Sequence, residues 1–229
     1  YMGQGMEVVR VGYITDLNQR EHIGEELLRE LLMKHEVHII LIGGDCNLDP
    51  QKLPFKNRIR YYILSGDKDD IYVTKEARKN NILLDGSIIR LNRVFIAGIG
   101  GLDYYQNVAR LDKILSTSNN LKIDILVIHH PPLGCLDLIE PLGLRAGLRT
   151  IRNLIVKLKP TIVLTGHLRN KGICYIEGSL VVNPGPADEG NYAVLELGRT
   201  RSLREVLLGK LSSLGYAKKN TKASELSSH

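Results

Sequence analysis

Apolar residues in this chain gather into short runs, and five of those runs stop at a carboxylate or an imidazole. Residues 37–45 (VHIILIGGD) are the clearest case: β-prone residues end at two glycines and present Asp45. The same grammar recurs at 9–16 (VRVGYITD), 61–67 (YYILSGD), 123–129 (IDILVIH) and 161–167 (TIVLTGH), ending at Asp16, Asp67, His129 and His167. Runs of this kind read as strands buried on both faces. Ligand crevices of open α/β sheets lie at the carboxyl ends of strands. Five such endings therefore predict five metal-capable groups along one sheet edge.

Between these strands the period changes. Residues 19–35 carry Ile23, Leu27 and Leu31 at i+4 spacing, backed by Leu28 and Leu32, and predict an amphipathic helix. The first strand, this helix and the 37–45 strand form a βαβ unit, so the fold class is α/β. Residues 71–80 predict a short helix with Asp69 or Asp70 at its N-terminus, where a carboxylate is favourable. Residues 87–91 and 94–99 flank Asn92-Arg93 as a hairpin. Helices are expected over 106–116 and 148–158, the second stopped by Pro160. Between them, 131–148 is a long loop rich in Pro, Gly and Leu, of a length that marks a binding loop or lid. Further strands are expected near 173, 180–182 and 192–197, while 199–211 fits either strand or helix. These segments make one domain over 7–211, preceded by an irregular start at 1–6 and followed by a flexible polar tail at 217–229.

Composition narrows the setting. The chain has 229 residues and no apolar run approaching the roughly 18 that a membrane helix needs, so a soluble, cytoplasmic protein without membrane contact is expected. Cys46, Cys135 and Cys174 stand alone without a CxxC spacing, and are read as reduced thiols. The net charge of +6 lies wholly in the second half: residues 1–120 hold 16 basic and 16 acidic side chains, residues 121–229 hold 15 and 9. A positive half favours phosphorylated or polyanionic partners. Nucleic acid is weakly supported, because Trp is absent and only two Phe are available for stacking.

In order along the chain stand Asp16-Leu17-Asn18, Gly44-Asp45, Gly66-Asp67-Lys68-Asp69, His129-His130-Pro131-Pro132 and Gly166-His167-Leu168-Arg169, followed by Asn183-Pro184-Gly185. Over about residues 8–198 this series resembles the calcineurin-like metallophosphoesterase family. That family's motifs are Asp-x-His, Gly-Asp, Gly-Asn-His-Asp/Glu, His before Pro-Pro, and Gly-His-x-His. The resemblance implies a sandwich of two mixed β-sheets flanked by helices, with a two-metal site between strand ends.

The departures matter as much as the matches. The resemblance implies one metal position held by Asp45, Asp67, His129 and His167, with Asp67 replacing an amide by a carboxylate that still ligates. The other position would take Asp16 and Asp45 with two imidazoles that here are Asn18 and Arg169. Arginine offers no free lone pair and repels a cation, so this second site is weak and about one ion per chain is expected. Carboxylate plus imidazole suits Mn, Fe, Zn or Ni alike. Lys68 stands where the family has a phosphate-contacting His, and Arg169 either clamps a phosphate beside Asp16 or pairs with Asp16. His130 is read as a supporting or surface residue. Two functions follow: a metal-dependent phosphoesterase acting on a phosphomonoester or phosphodiester, or a non-catalytic module of the same shape that binds a phosphorylated ligand or a partner protein.

Overall fold

Strands β1 (Val8–Ile14), β2 (Ile39–Ile42) and β3 (Arg60–Ile63) run parallel, with α1 (Glu21–Met33) crossing between the first two. The computed structural model describes residues 8–118 and 121–214, together with the backbone of 219–222. After β3 come α2 (Ile71–Lys79), the hairpin β4 (Ser87–Leu91) and β5 (Val94–Ile99), α3 (Tyr104–Thr117) and β6 (Ile125–Ile128). The 131–148 segment contains a small hairpin of its own, β7 (Leu138–Ile139) and β8 (Leu144–Arg145). Helix α4 (Arg149–Leu158) leads to β9 (Ile162–Leu164), β10 (Gly172–Ile176), β11 (Ser179–Asn183), β12 (Asn191–Gly198), β13 (Leu203–Lys210) and β14 (Lys219–Lys222).

Two six-stranded sheets result, ordered β14-β13-β12-β1-β2-β3 and β10-β11-β9-β6-β5-β4. Both are mixed, since β12 and β13 run antiparallel in the first and β4 and β10 in the second. The period of 2 sorts each strand into two cores. Val11, Tyr13, Ile39 and Leu41 face Ile96, Ile125, Val127 and Leu164 between the sheets. Ile14, Ile40 and Ile42 face outward onto Ile23, Leu27, Leu28 and Leu31 of α1. On the far side, Ala97, Leu126 and Val163 pack on Leu111 of α3 and on Ile151, Leu154 and Ile155 of α4. The layers are therefore helix, sheet, sheet, helix, and the expected sandwich of two mixed sheets flanked by helices is the observed one.

Register brings the strand ends level. Ile14 pairs with Ile42 and Ile42 with Ile63; Ile99 pairs with Ile128, and Val127 with Leu164. The loops leaving these ends must therefore meet. The β2 and β3 loops approach so closely that a Cβ on Gly44 would collide with Nδ1 of His129 and with the backbone of Gly66. Asp70 caps α2, accepting from Tyr72 N at 2.8 Å, as its position predicts.

Three expectations need adjustment. Residues 199–211, open between strand and helix, hold β13. Lys219–Lys222 pair along β13 within the stretch expected as a tail, while 1–6, 217–218 and 223–229 lie outside the described residues. Cys135 and Cys174 are not separate thiols: they are joined as a disulfide with Cα atoms 6.1 Å apart, tying the 131–148 segment to β10. Sequence spacing conceals this because 39 residues separate them, and the expectation of a cytoplasmic location loses the support it drew from unpaired thiols. Cys46 is free and buried, as expected. Among the described residues no helix is long and apolar enough to cross a membrane.

Glu30 ties α1 to the first sheet. It accepts from Lys34 Nζ at 2.7 Å, Tyr192 Oη at 3.0 Å and Ser212 N at 3.0 Å. Burial would raise its pKa, but these donors outweigh burial and hold it down at about 2. A carboxyl depressed below its unfolded value of about 4.3 stabilises above that pH and loses the effect as pH falls toward 2. Glu30→Gln is expected to lower the melting temperature at pH 7, with the gap to the parent protein closing between about pH 4 and pH 2 in parallel thermal scans. Gly44→Ala is expected to cost about 1–3 kcal/mol of overpacking, read from urea unfolding midpoints.

Candidate metal centre

Three of the five strand ends contribute through a strained turn. Asp16, Asp45 and His167 adopt left-handed backbone conformations, with φ of 57°, 59° and 65°, and Asn18 and Asn47 do the same at 48° and 50°. Asp, Asn and His are among the non-glycine types that best tolerate this region. The turns break the strand alternation where the chain leaves the sheet, and the side chains meet at the strand ends.

The β2 and β3 turns are locked together by Asp69. Its carboxylate accepts from Gly66 N at 2.6 Å, Asp45 N at 3.0 Å and Asn47 N at 3.0 Å. Burial raises its pKa although these three N–H donors favour the charged form. Asp45 Oδ1 in turn accepts from Lys68 N at 2.8 Å. Asp16 is buried and its Oδ2 accepts from His167 N at 2.9 Å and from Thr15 Oγ1 at 2.8 Å. Burial pushes the Asp16 carboxyl up to about 6, against the pull of His129.

The structure places Asp16, Asp45, Asp67, His129 and His167 in one cluster. His129 Nε2 lies 3.7 Å from Asp45 Oδ2 and 3.7 Å from Asp67 Oδ2. His167 Nδ1 lies 3.1 Å from His129 Nε2 and 3.4 Å from Asp67 Oδ2. Two groups of possible ligands emerge, Asp67 with His129, His130 and His167, and Asp16 with Asp45 and His129. His129 is buried, yet Asp67, Asp45 and Asp16 outweigh burial and raise its pKa. Burial and the neighbouring His129 lower those of His130 and His167. The His129 interaction, above burial, holds Asp67 well below the usual carboxylate range.

Of its two expected places, supporting or surface, His130 takes the first: it is part of the cluster, its Nε2 3.0 Å from Asp67 Oδ2. Consecutive residues of a strand face opposite ways, but β6 ends at Ile128 and the chain bends ahead of Pro131, so both rings turn inward.

Asn18 and Arg169 stand together, but through a partner that the sequence pattern did not single out. Asn18 Nδ2 donates to Asp188 Oδ2 at 3.0 Å, and Arg169 contacts Asp188 Oδ1 at 3.3 Å and also pairs with Glu189. The expected alternative of an Arg169–Asp16 pair is not the one formed: two carboxylates of the turn after β11 capture the guanidinium and raise its pKa, Glu189 foremost. Its side chain remains 57% exposed. Lys68 is exposed beside the cluster. Asp69 and Asp188 are the residues whose roles went unread; the Gly-Asp-Lys-Asp run held a trace of the first, and nothing local revealed the second.

Among the described residues no Lys or Arg side chain pairs with Asp16, Asp45 or Asp67, whose ion pairs are all to histidine. Three carboxylates and three imidazoles with no resident cation fit a divalent metal ion.

Similarity to known proteins agrees with this geometry. A family model described as metallophosphoesterase, calcineurin superfamily, matches residues 102–206. No curated protein sequence matches. Among solved structures, TT1561 of Thermus thermophilus is similar with a TM-score of 0.64 at 18% identity, covering 89% of this chain and 99% of that one. Vacuolar protein sorting 29 from Cryptosporidium parvum is similar with a TM-score of 0.55 at 17% identity, covering 95% and 100%. A predicted phosphoesterase from Streptococcus pneumoniae is similar with a TM-score of 0.51 at 12% identity, covering 95% and 99%. The match of residues 102–206 to that family model and the fold shared with these solved structures make the chain similar to the calcineurin-superfamily metallophosphoesterases.

Proposed function

We propose that the chain is a metal-dependent phosphoesterase working with one divalent ion, held where Asp67, His129 and His167 meet with Asp45 at the edge. The observation that carries this reading is the convergence of ligand atoms from separate strand ends upon one another without a lysine or arginine to balance them. Buried carboxylates crowded in this way repel unless protonated or neutralised. Residues 7–211 would form the single functional domain.

When bound, such an ion supplies Lewis acidity to a phosphoryl oxygen and acidifies a water. The chain's own residues set the geometry. Asp16 holds the His167 turn through the backbone N–H, so the imidazole is presented rather than free to swing. Asp69 fixes Asp45 relative to Gly66. Exposed Lys68 and Arg169 are the cations available to a phosphomonoester or phosphodiester arriving at the rim, Lys68 as a point charge and Arg169 by exchanging Glu189 for a phosphoryl oxygen. The basic second half would favour such anionic substrates.

The second reading, a non-catalytic module for a phosphorylated ligand or partner protein, rests on Asp188. It joins Asn18 to Arg169, the two positions where the resemblance implies further imidazole ligands, and so supports a reading in which two-metal chemistry would be lost. Fold does not decide between the two, since one fold hosts many functions.

Metal analysis of the purified chain after reconstitution is expected to give about one ion per chain. His167→Ala should abolish tight binding and Asn18→Ala should leave it nearly unchanged; two tightly held ions, one needing Asn18, would overturn the assignment. Arg169→Ala is expected to keep the ion and lose hydrolysis. The decisive panel covers phosphomonoesters, phosphodiesters and nucleotides with Mn, Zn, Ni and Mg. No turnover by the native chain, followed by turnover after Asn18→His with Arg169→His, would establish the module instead.

A further inference from the structure

Building on the proposed metal site, we infer that His130 is a direct ligand of the ion, which makes the centre a set of three imidazoles and one carboxylate: Asp67, His129, His130 and His167. The family pattern carries a single imidazole from this strand end, so the second changes both the coordination and the choice of metal.

One atom from each of the four residues lies within 4.8 Å of every other. Four separations within the group are 3.0 Å (His130 Nε2 to Asp67 Oδ2), 3.1 Å (His167 Nδ1 to His129 Nε2), 3.4 Å (His167 Nδ1 to Asp67 Oδ2) and 3.7 Å (His129 Nε2 to Asp67 Oδ2). Ligands 2.0–2.1 Å from a tetrahedral zinc ion stand about 3.3 Å apart, so the observed edges bracket that figure. Asp45 stays at the edge of this group: its Oδ1 accepts from Lys68 N, its Oδ2 lies 3.7 Å from His129 Nε2, and it groups with Asp16 and His129.

His130 is also held in place from behind. The Tyr104 ring meets it edge-on at 6.0 Å between centroids, and the Tyr104 hydroxyl is bonded to Thr150 of α4. The three imidazole rings stand 4.8, 4.9 and 4.8 Å apart by centroid. Room for them exists because residue 101 is glycine: a Cβ there would lie 2.8 Å from both Asp67 Oδ1 and His129 Cδ2. A side chain supported in this way loses little entropy on binding an ion.

The chemical consequence is a preference for borderline ions. Three imidazoles suit Zn, Co or Ni, whereas Mg and Ca prefer an oxygen-rich shell. The centre is accordingly expected to take zinc ahead of magnesium or calcium.

X-ray absorption of the zinc-reconstituted full chain reads the ligand count directly. Three imidazoles per zinc are expected, falling to two in His130→Ala, with a loss of zinc affinity of roughly 100-fold or more in chelator competition, above the loss typical of an outer-shell contact. Should His130→Ala fail to fold, the native chain's spectrum decides alone. Zinc bound through two imidazoles overturns the role of His130 and leaves the one-metal reading standing. A chain that retains no zinc at all overturns that reading itself.

Discussion

Everything at the functional edge depends on the cost of bringing like charges together in a poorly solvated space. Asp16 and Asp45 are buried, Asp67 lies alongside them, and the only ionic partners of the three among the described residues are histidines. Coulomb repulsion at such separations is strong once water is excluded, and the protein answers with directed hydrogen bonds rather than counter-cations. Backbone N–H groups of His167 and Lys68 serve two of these carboxylates, and Asp69 spends its own acceptor capacity fixing the turns. The resulting geometry is held in advance of any ligand, as a preorganised metal centre requires.

Asn18 and Arg169, the two positions that depart from the motif pattern, are joined through one carboxylate, Asp188. A side-chain network anchored on the turn after β11 thus joins the first strand turn to the 166–169 turn. Because that network is partly exposed, its energetic worth is modest, and its effect is on which ions and anions can approach.

Much of this was legible in the chain. Strands with both faces buried leave uninterrupted apolar runs, and the hairpin around Asn92-Arg93 occupies the residues its pattern marked. The sheet-edge cluster followed from five strand endings. What escaped notice depends on contacts distant in sequence: Cys135 with Cys174, Arg169 with Asp188, and His130 with Asp67. For His130 the obstacle was the resemblance itself, whose single imidazole at this strand end aligns with His129. Strand β13 was ambiguous because its burial alternates only weakly, its outer residues being half exposed.

The left-handed turns at Asp16, Asp45 and His167 have an energetic consequence. Each holds a side-chain-bearing residue where the backbone is disfavoured by roughly 1 kcal/mol or more, a strain that glycine would relieve. Glycine at any of them would also delete a carboxylate or an imidazole. At Asp16 and Asp45 it would further strand the N–H groups of His167 and Lys68, so the strain of these turns is held by the hydrogen bonds their own side chains accept.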